Sequence, residues 1–219
     1  MIDPKLKEKF PQPGKFDVPP IRPVISDKIN LDALQLSLSK DSSDYTPGEN
    51  YARILRALVR ASFSKVVLEI GAGGSSIAFA QALKEVSKED SKSFPKNPEL
   101  FSIEINNDIP APSTIMDVLE LYAVSWSVVH GDSLKVPLSS LPPSVDLLYI
   151  DGDHGGEHSI GDYQRYAPLV RVGGLIVFDD YPLFPGPVAA VSTLAAEGVN
   201  GIIIVHNLQD GNGFYVIRK

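Results

Sequence analysis

Three carboxylates stand at the ends of two apolar runs in this 219-residue chain. Asp151 follows VDLLYI, and Asp179 and Asp180 close GLIVF. Both runs have the length and the β-branched, apolar character of buried strands. In adjacent parallel strands, about 4.8 Å apart, the three acids would converge on one rim. Unpaired carboxylates that close repel one another and raise one another's pKa. A hard divalent cation such as Mg²⁺ relieves this, because it takes oxygen ligands and keeps places for water or substrate oxygens. The alternative, that helix N-termini or lysines satisfy the acids separately, has few Lys or Arg residues nearby to draw on.

A second cluster is VVLEIGAGGSS at 66–76. Gly71, Gly73 and Gly74 permit a tight turn and a close backbone approach at the start of a helix. Such a turn is as often plain packing as a ligand loop. Glu69, just before it, would repel a pyrophosphate and so argues against a dinucleotide. A carboxylate there suits a ligand carrying an ammonium group. Glu104 ends the next apolar run, FSIEIN, where it could take the two hydroxyls of a ribose or simply be a solvated strand end.

The elements that must position these groups alternate along the chain. KVVLEI (65–70), LFSIEI (100–105), WSVVH (126–130), VDLLYID (145–151) and GLIVFDD (174–180) read as strands. ENYARILRALVRA (49–61), SSIAFAQALKEV, STIMDVLELYAV, HSIGDYQRYAPLV and a segment around 187–196 read as helices. Apolar strands separated by helices imply an α/β fold with a parallel sheet covered on both faces. GIIIVHN and GFYVIRK are joined only by LQDGNG, too short for a crossover, so this C-terminal hairpin should be antiparallel. Residues 84–99 read as a solvated loop. Residues 1–46, proline-rich with one short helix at 29–38, read as an arm or lid before a single domain at 47–219.

VVLEIGAGGSS, FSIEIN and VVHGDS together resemble the S-adenosylmethionine site of class I methyltransferases. The chain is similar in particular to the metal-dependent catechol O-methyltransferase-like enzymes and to the O-methyltransferases of macrolide sugars. The likeness covers roughly residues 46–186. It implies a doubly wound, Rossmann-like methyltransferase sheet and an enzyme that moves a methyl group from S-adenosylmethionine to a small-molecule hydroxyl. It assigns cofactor binding to Glu69, Gly71, Gly73, Ser75, Glu104, Asp132, Ser133 and Asp151. Of these, the stretch from Gly71 to Ser75 would cradle the methionine part, and Asp132 and Ser133 would sit by the adenine. Asp132 could equally be an N-cap.

The 28 residues from Asp151 to Asp179, and 29 to Asp180, match the spacing of that family's metal ligands. The resemblance thus implies Mg²⁺ or another divalent cation on Asp151, Asp179 and Asp180. It places the general base at His154, where the catechol enzymes have lysine and the macrolide-sugar relatives histidine. Asp180 departs from the catechol pattern, which has asparagine. The catechol enzymes also place a carboxylate where a rough alignment puts Asn207, which speaks against a catechol. A sugar hydroxyl or a natural-product phenol or enol fits the histidine base.

Other polar residues have modest roles in this reading. Asp153 could orient His154, hold an outer-sphere water, or cap the following helix. His158, Tyr181 and Phe184 could wall a substrate. His130 and His206 read as structural, and Asp162 and Arg165 as local partners. The rival functions are a metal-dependent hydrolase, which leaves Glu69 and Glu104 unused, and a nicotinamide-dependent oxidoreductase, which has no need of the acids. An acidic chain of net charge −7 with no Lys/Arg cluster is not expected to bind nucleic acid. No run is long enough to span a membrane. Cysteine is absent, which excludes disulfides and thiolate chemistry. A cytoplasmic location and a homodimer reached through the arm complete the expectations.

Overall fold

The computed structural model describes residues 47–89, 98–106, 124–207 and 209–219. The expected arm at 1–46, its helix at 29–38 and nearly all of STIMDVLELYAV lie outside the described residues. Helix α1 (Pro47–Ala61) leads into β1 (Val66–Ile70), α2 (Gly74–Glu89) and β2 (Glu99–Glu104). Then come β3 (Ser125–His130), β4 (Val145–Ile150), α3 (Gly156–Tyr166), β5 (Val170–Tyr181), α4 (Pro185–Ala196), β6 (Ile202–Val205) and β7 (Gly213–Arg218). Part of the expected loop at 84–99 is therefore helix, because α2 continues its apolar face through buried Val86.

The seven strands form one sheet in the order β3-β2-β1-β4-β5-β7-β6. The first five pair in parallel, and β7 runs antiparallel to both β5 and β6. The chain winds outward to β3, then returns to β4 on the other side of β1. That reversal leaves a crevice beyond the carboxyl ends of β1 and β4, where ligands of open α/β sheets bind.

Successive side chains of a strand point to opposite faces, and here each face has its own core. Val67, Leu147, Tyr149, Leu175 and Val177 pack against Leu55 and Leu58 of α1 and Phe79 and Leu83 of α2. Leu68, Ile70, Leu148, Ile150, Ile176 and Phe178 pack against Tyr166, at the end of α3, and Val191 and Leu194 of α4. At the far end of the sheet from the crevice, Asp146 ties three strands together. Its carboxylate accepts from the backbone N–H groups of Lys65 (2.7 Å) and Val66 (2.9 Å) and pairs with Arg171.

Helix α4 begins with Pro185, preset for the first turn. It ends at Gly198, whose φ of +83° makes the left-handed cap that glycine favours. No helix among the described residues is long and apolar enough to cross a membrane.

Candidate active site

A cleft of about 550 Å³ opens at the crevice. Gly71, Gly73, Ser75, Glu104, Asp132, Ser133, Asp151 and His158, all singled out in the sequence, line it. Tyr51 of α1, Ile105, Asn106, Gly152 and Asp153 complete much of the remaining wall. Among the described residues that line it, none is Lys or Arg.

The glycine turn is held by the strands beside it. The Gly71 N–H donates to the Ile103 carbonyl at 2.9 Å, and the Asp151 N–H to the Ile70 carbonyl at 3.0 Å. Gly71 has φ of +89°, and a Cβ there would fall 2.3 Å from the Asp151 carbonyl oxygen. The turn thus needs glycine for conformation and for space. Glu104 is fixed by two backbone donors, Ala72 N–H at 2.9 Å and Asn106 N–H at 2.7 Å. Each of its oxygens thus accepts one backbone bond and keeps further acceptor capacity in a residue that lines the cleft.

Glu69 departs from its sequence reading. On β1 it faces α2, is fully buried and does not line the cleft. Its carboxylate accepts from the hydroxyls of Ser75 (2.9 Å), Ser76 and Ser102. Burial pushes its pKa up to about 7 against the pull of those hydroxyls. Glu69 therefore ties the first turn of α2 to β2, and its oxygens are committed there instead of facing a ligand ammonium.

Asp132 both lines the cleft and organises its loop. It accepts the Leu134 N–H at 2.9 Å and pairs with Lys135 at 2.7 Å, contacts that lower its pKa. The capping and ligand-facing readings are thus compatible. Asp153 accepts the Gly155 N–H at 2.6 Å, which makes it a turn-forming residue at the head of α3. Arg165 makes the expected local contact, donating to the Tyr166 hydroxyl at 3.3 Å, and Asp162 does not. Arg165 reaches the Val136 carbonyl, whereas Asp162 is fully buried with neither oxygen hydrogen-bonded. Burial raises its pKa to about 6, opposed by neighbouring Ser133 and His158.

The three rim acids divide between the two faces. Asp179 and Asp180 are consecutive on β5, so their side chains diverge, and Asp180 adds a left-handed φ of +56°. Asp179 turns toward α1 and is buried. It accepts from the Tyr149 hydroxyl and from the Asp180 N–H at 2.7 Å, and His206 lies 3.7 Å away. Tyr149 in turn hydrogen-bonds Tyr51. Burial and nearby Asp179 and Asp151 hold both phenols well above their ordinary pKa. Asp180 turns the other way, to His154 Nε2, and takes the Asn212 side-chain N–H at 2.8 Å.

Among the described residues, the possible ligand atoms that lie within 4.8 Å of one another are those of Asp151, His154 and Asp180. The expected trio of Asp151, Asp179 and Asp180 shares two of these; Asp179 stands apart because its oxygens are taken by the Tyr149 hydroxyl and the Asp180 N–H. Burial, and then the charges of Asp179, Asp180 and Glu69, lift the Asp151 pKa to about 9. Such uncompensated acidity, met by oxygen donors and one imidazole, fits a hard divalent cation.

His154 is held from behind by α4. A Cβ on Gly186 would lie 2.2 Å from the His154 carbonyl oxygen, so that approach requires glycine. Phe184 lies 4.4 Å from its ring, beside the site as expected. Tyr181 is instead buried against Tyr215 at 5.3 Å and belongs to the core. Asn207 does not face the acids. It bonds Asp210 at 2.8 Å within the hairpin turn, and the amide that reaches Asp180 is Asn212, five residues from the expected one in a turn whose register the sequence leaves loose. His206, taken as structural, packs edge-on to Tyr51 at 5.2 Å beside Asp179. Tyr51, Tyr149 and Asn212 were missed. The signal for Tyr149 was present, since it stands two residues before Asp151 and so shares its strand face.

The model of a family described as a methyltransferase domain matches residues 68–181, more than half of the chain. The uncharacterized protein R132 of Acanthamoeba polyphaga mimivirus is 41% identical over 71 residues, 31% of this chain. The matched part spans about a third (32%) of that viral protein's length. Among solved structures, an O-methyltransferase from Bacillus cereus in complex with SAH superposes with a TM-score of 0.57 at 19% identity. It covers 90% of this chain and 94% of that one. The O-methyltransferase TomG of Streptomyces achromogenes, involved in tomaymycin synthesis and solved with SAM, gives 0.56 at 22%, covering 88% and 90%. CalS11, a TDP-rhamnose 3′-O-methyltransferase, gives 0.59 at 17%, covering 78% and 79%. These likenesses establish the fold as the Rossmann-like methyltransferase sheet, with its antiparallel C-terminal strands. Together with the family match across both the glycine turn and the acidic rim, they make this chain a member of the methyltransferase-domain family.

Proposed function

We propose that the protein is an S-adenosylmethionine-dependent O-methyltransferase acting on a hydroxyl of a small molecule, with a divalent cation at the acidic rim. The observation that carries this reading is one continuous cleft. It runs from the glycine turn and the doubly anchored Glu104 to Asp151, from which the possible ligand atoms of His154 and Asp180 lie within 4.8 Å. The hydrolase and nicotinamide alternatives have no comparable support, because the family match and the folds it resembles are those of methyltransferases.

Each end of the cleft then has a task. Glu104 receives the ribose hydroxyls on the lone pairs its backbone donors leave free. Asp132 and Ser133 flank the adenine, and the backbone of the 71–75 turn carries the amino-acid end. S-adenosylmethionine supplies the electrophilic methyl group. Asp151 and Asp180 are the first candidates for the cation, with Asp179 completing the acid set. A bound divalent cation supplies Lewis acidity that lowers the pKa of an acceptor hydroxyl.

His154 takes the proton from that hydroxyl. In this reading Nε2 donates to Asp180 and Nδ1 is the nitrogen that serves as base. Asp180 thereby orients the ring, and Phe184 shields one side of it. A positioned base of this kind contributes about 10²–10⁴ in rate, and holding both reactants in line contributes more. A natural-product phenol or enol, or a sugar, is the acceptor class this base suits.

Calorimetric titration with S-adenosylmethionine, with NAD⁺ as control, tests the reading. Micromolar affinity for the first and none for the second is the expected result. Silence from S-adenosylmethionine would sink it.

A further inference from the structure

Glu69 is unavailable to a ligand ammonium, so the cleft must provide for one elsewhere, and a buried chain of hydroxyls shows where. Asp179 Oδ1 accepts the Asp180 N–H at 2.7 Å, and Oδ2 is bonded to the Tyr149 hydroxyl. In that contact the Tyr149 hydroxyl is the donor and Asp179 the acceptor. The Tyr149 oxygen can then only accept from its other partner, which is the Tyr51 hydroxyl. The Tyr51 proton is thereby committed away from the cleft. Tyr51 itself lines the cleft, as do the glycine turn and Asp151.

What Tyr51 offers a bound molecule is therefore a pair of acceptor lone pairs and no donor. Its ring is not free to swing away, being packed edge-on to His206 at 5.2 Å and tilted against Phe214 at 5.4 Å. An acceptor oxygen on a wall that also holds Asp151 and, among the described residues, no Lys or Arg favours a positively charged donor over a carboxylate or a neutral carbonyl.

Resting on the cofactor assignment above, we propose that Tyr51 is the acceptor for the ammonium group at the amino-acid end of S-adenosylmethionine. Tyr149 and Asp179 enforce that role by fixing the direction of the hydrogen-bond chain. Tyr51 is thus a specificity residue, separate from the groups that handle the acceptor's proton.

The test compares wild type with Tyr51→Phe, which keeps the packed ring and removes only the hydroxyl. Each is titrated calorimetrically with S-adenosylhomocysteine and with its deaminated analogue, which retains the carboxylate. A melting curve of the variant checks the fold. In wild type, loss of the amine should weaken binding about tenfold or more, the scale of a hydrogen bond to a charged group. In Tyr51→Phe the two ligands should bind within about twofold of each other. The pairwise comparison isolates the hydroxyl–ammonium contact from general damage. Equal weakening of both ligands by the substitution would assign Tyr51 to the carboxylate or to the fold, and no weakening of either would remove it from the site; both overturn the proposal. If wild type binds neither ligand, the cofactor assignment itself falls and takes this inference with it.

Discussion

Glu69→Gln isolates a buried acid whose folded-state pKa is raised from 4.5 to about 7. A raised carboxyl pKa contributes its stability in the protonated form. That stability is fully present below about pH 4.5 and is lost as pH climbs through about 7. One pKa unit is worth about 1.36 kcal/mol, so the side chain, fully buried, forfeits on the order of 3 kcal/mol across this window. Glutamine has the same shape and no charge to desolvate, and the three serine hydroxyls around it can accept as well as donate.

Urea unfolding at pH 5, 6, 7 and 8, in chelator, should therefore give two curves that diverge. The variants should agree within about 1 kcal/mol at pH 5. By pH 8 Glu69→Gln should be the more stable by about 3 kcal/mol, with an unchanged m-value. Asp162, whose pKa rises to about 6, and Asp151, to about 9, also slope the wild-type curve. The difference between the two proteins cancels Asp162, and cancels Asp151 except for the part of its shift that the Glu69 charge supplies. Parallel curves would refute the reasoning, for they would mean that the serines meet the whole desolvation cost of the charged form.

The remaining expectations concern the site directly. Gly71→Ala drives a Cβ to 2.3 Å from the Asp151 carbonyl oxygen at a φ of +89°, so it should cost about 2 kcal/mol or more and abolish S-adenosylhomocysteine binding; a melting temperature and affinity near wild type would contradict this. His154→Ala should lower turnover about 10²–10⁴-fold with cofactor affinity kept, by calorimetry and rate assay; unchanged turnover would remove it as the base. Mg²⁺ at a hundred times its Kd should stabilise the fold by about 2.7 kcal/mol, and chelation should reverse this. Asp180→Asn should greatly reduce that thermal shift, and an unaltered shift would place the cation elsewhere.

How much of this was legible in the sequence follows from which physical signals a linear string carries. Short apolar runs separated by helical periodicity fix a parallel sheet, and the six-residue LQDGNG link forces the antiparallel ending. Glycines before a helix and acids at strand ends mark the carboxyl rim, so the positions of Gly71, Glu104, Asp132 and Asp151 around one cleft were within reach. Side-chain direction was not applied to the acids, although it could have been. Glu69, Tyr149, Asp151 and Asp179 share the parity that faces α1 and α2, whereas Asp180 has the other. Alternation alone separates Asp179 from Asp180 and carries Glu69 into the interior. Contacts such as Asn212 to Asp180 depend on the path of the hairpin turn, which no local pattern sets.

The acidity of the cleft has a consequence for the whole molecule. Asp151, raised to a pKa near 9 by burial and then by the charges of Asp179, Asp180 and Glu69, lines a wall in which no described residue is Lys or Arg. In an empty protein that charge opposes folding; toward a sulfonium, an ammonium or a divalent cation it is the source of attraction. Stability and binding therefore draw on the same groups. Substitutions that neutralise the rim should make the free protein sturdier and its cationic ligands weaker, whereas a defect in the hydrophobic core would lower both. That opposition separates residues of the site from residues of the scaffold without knowing the methyl acceptor.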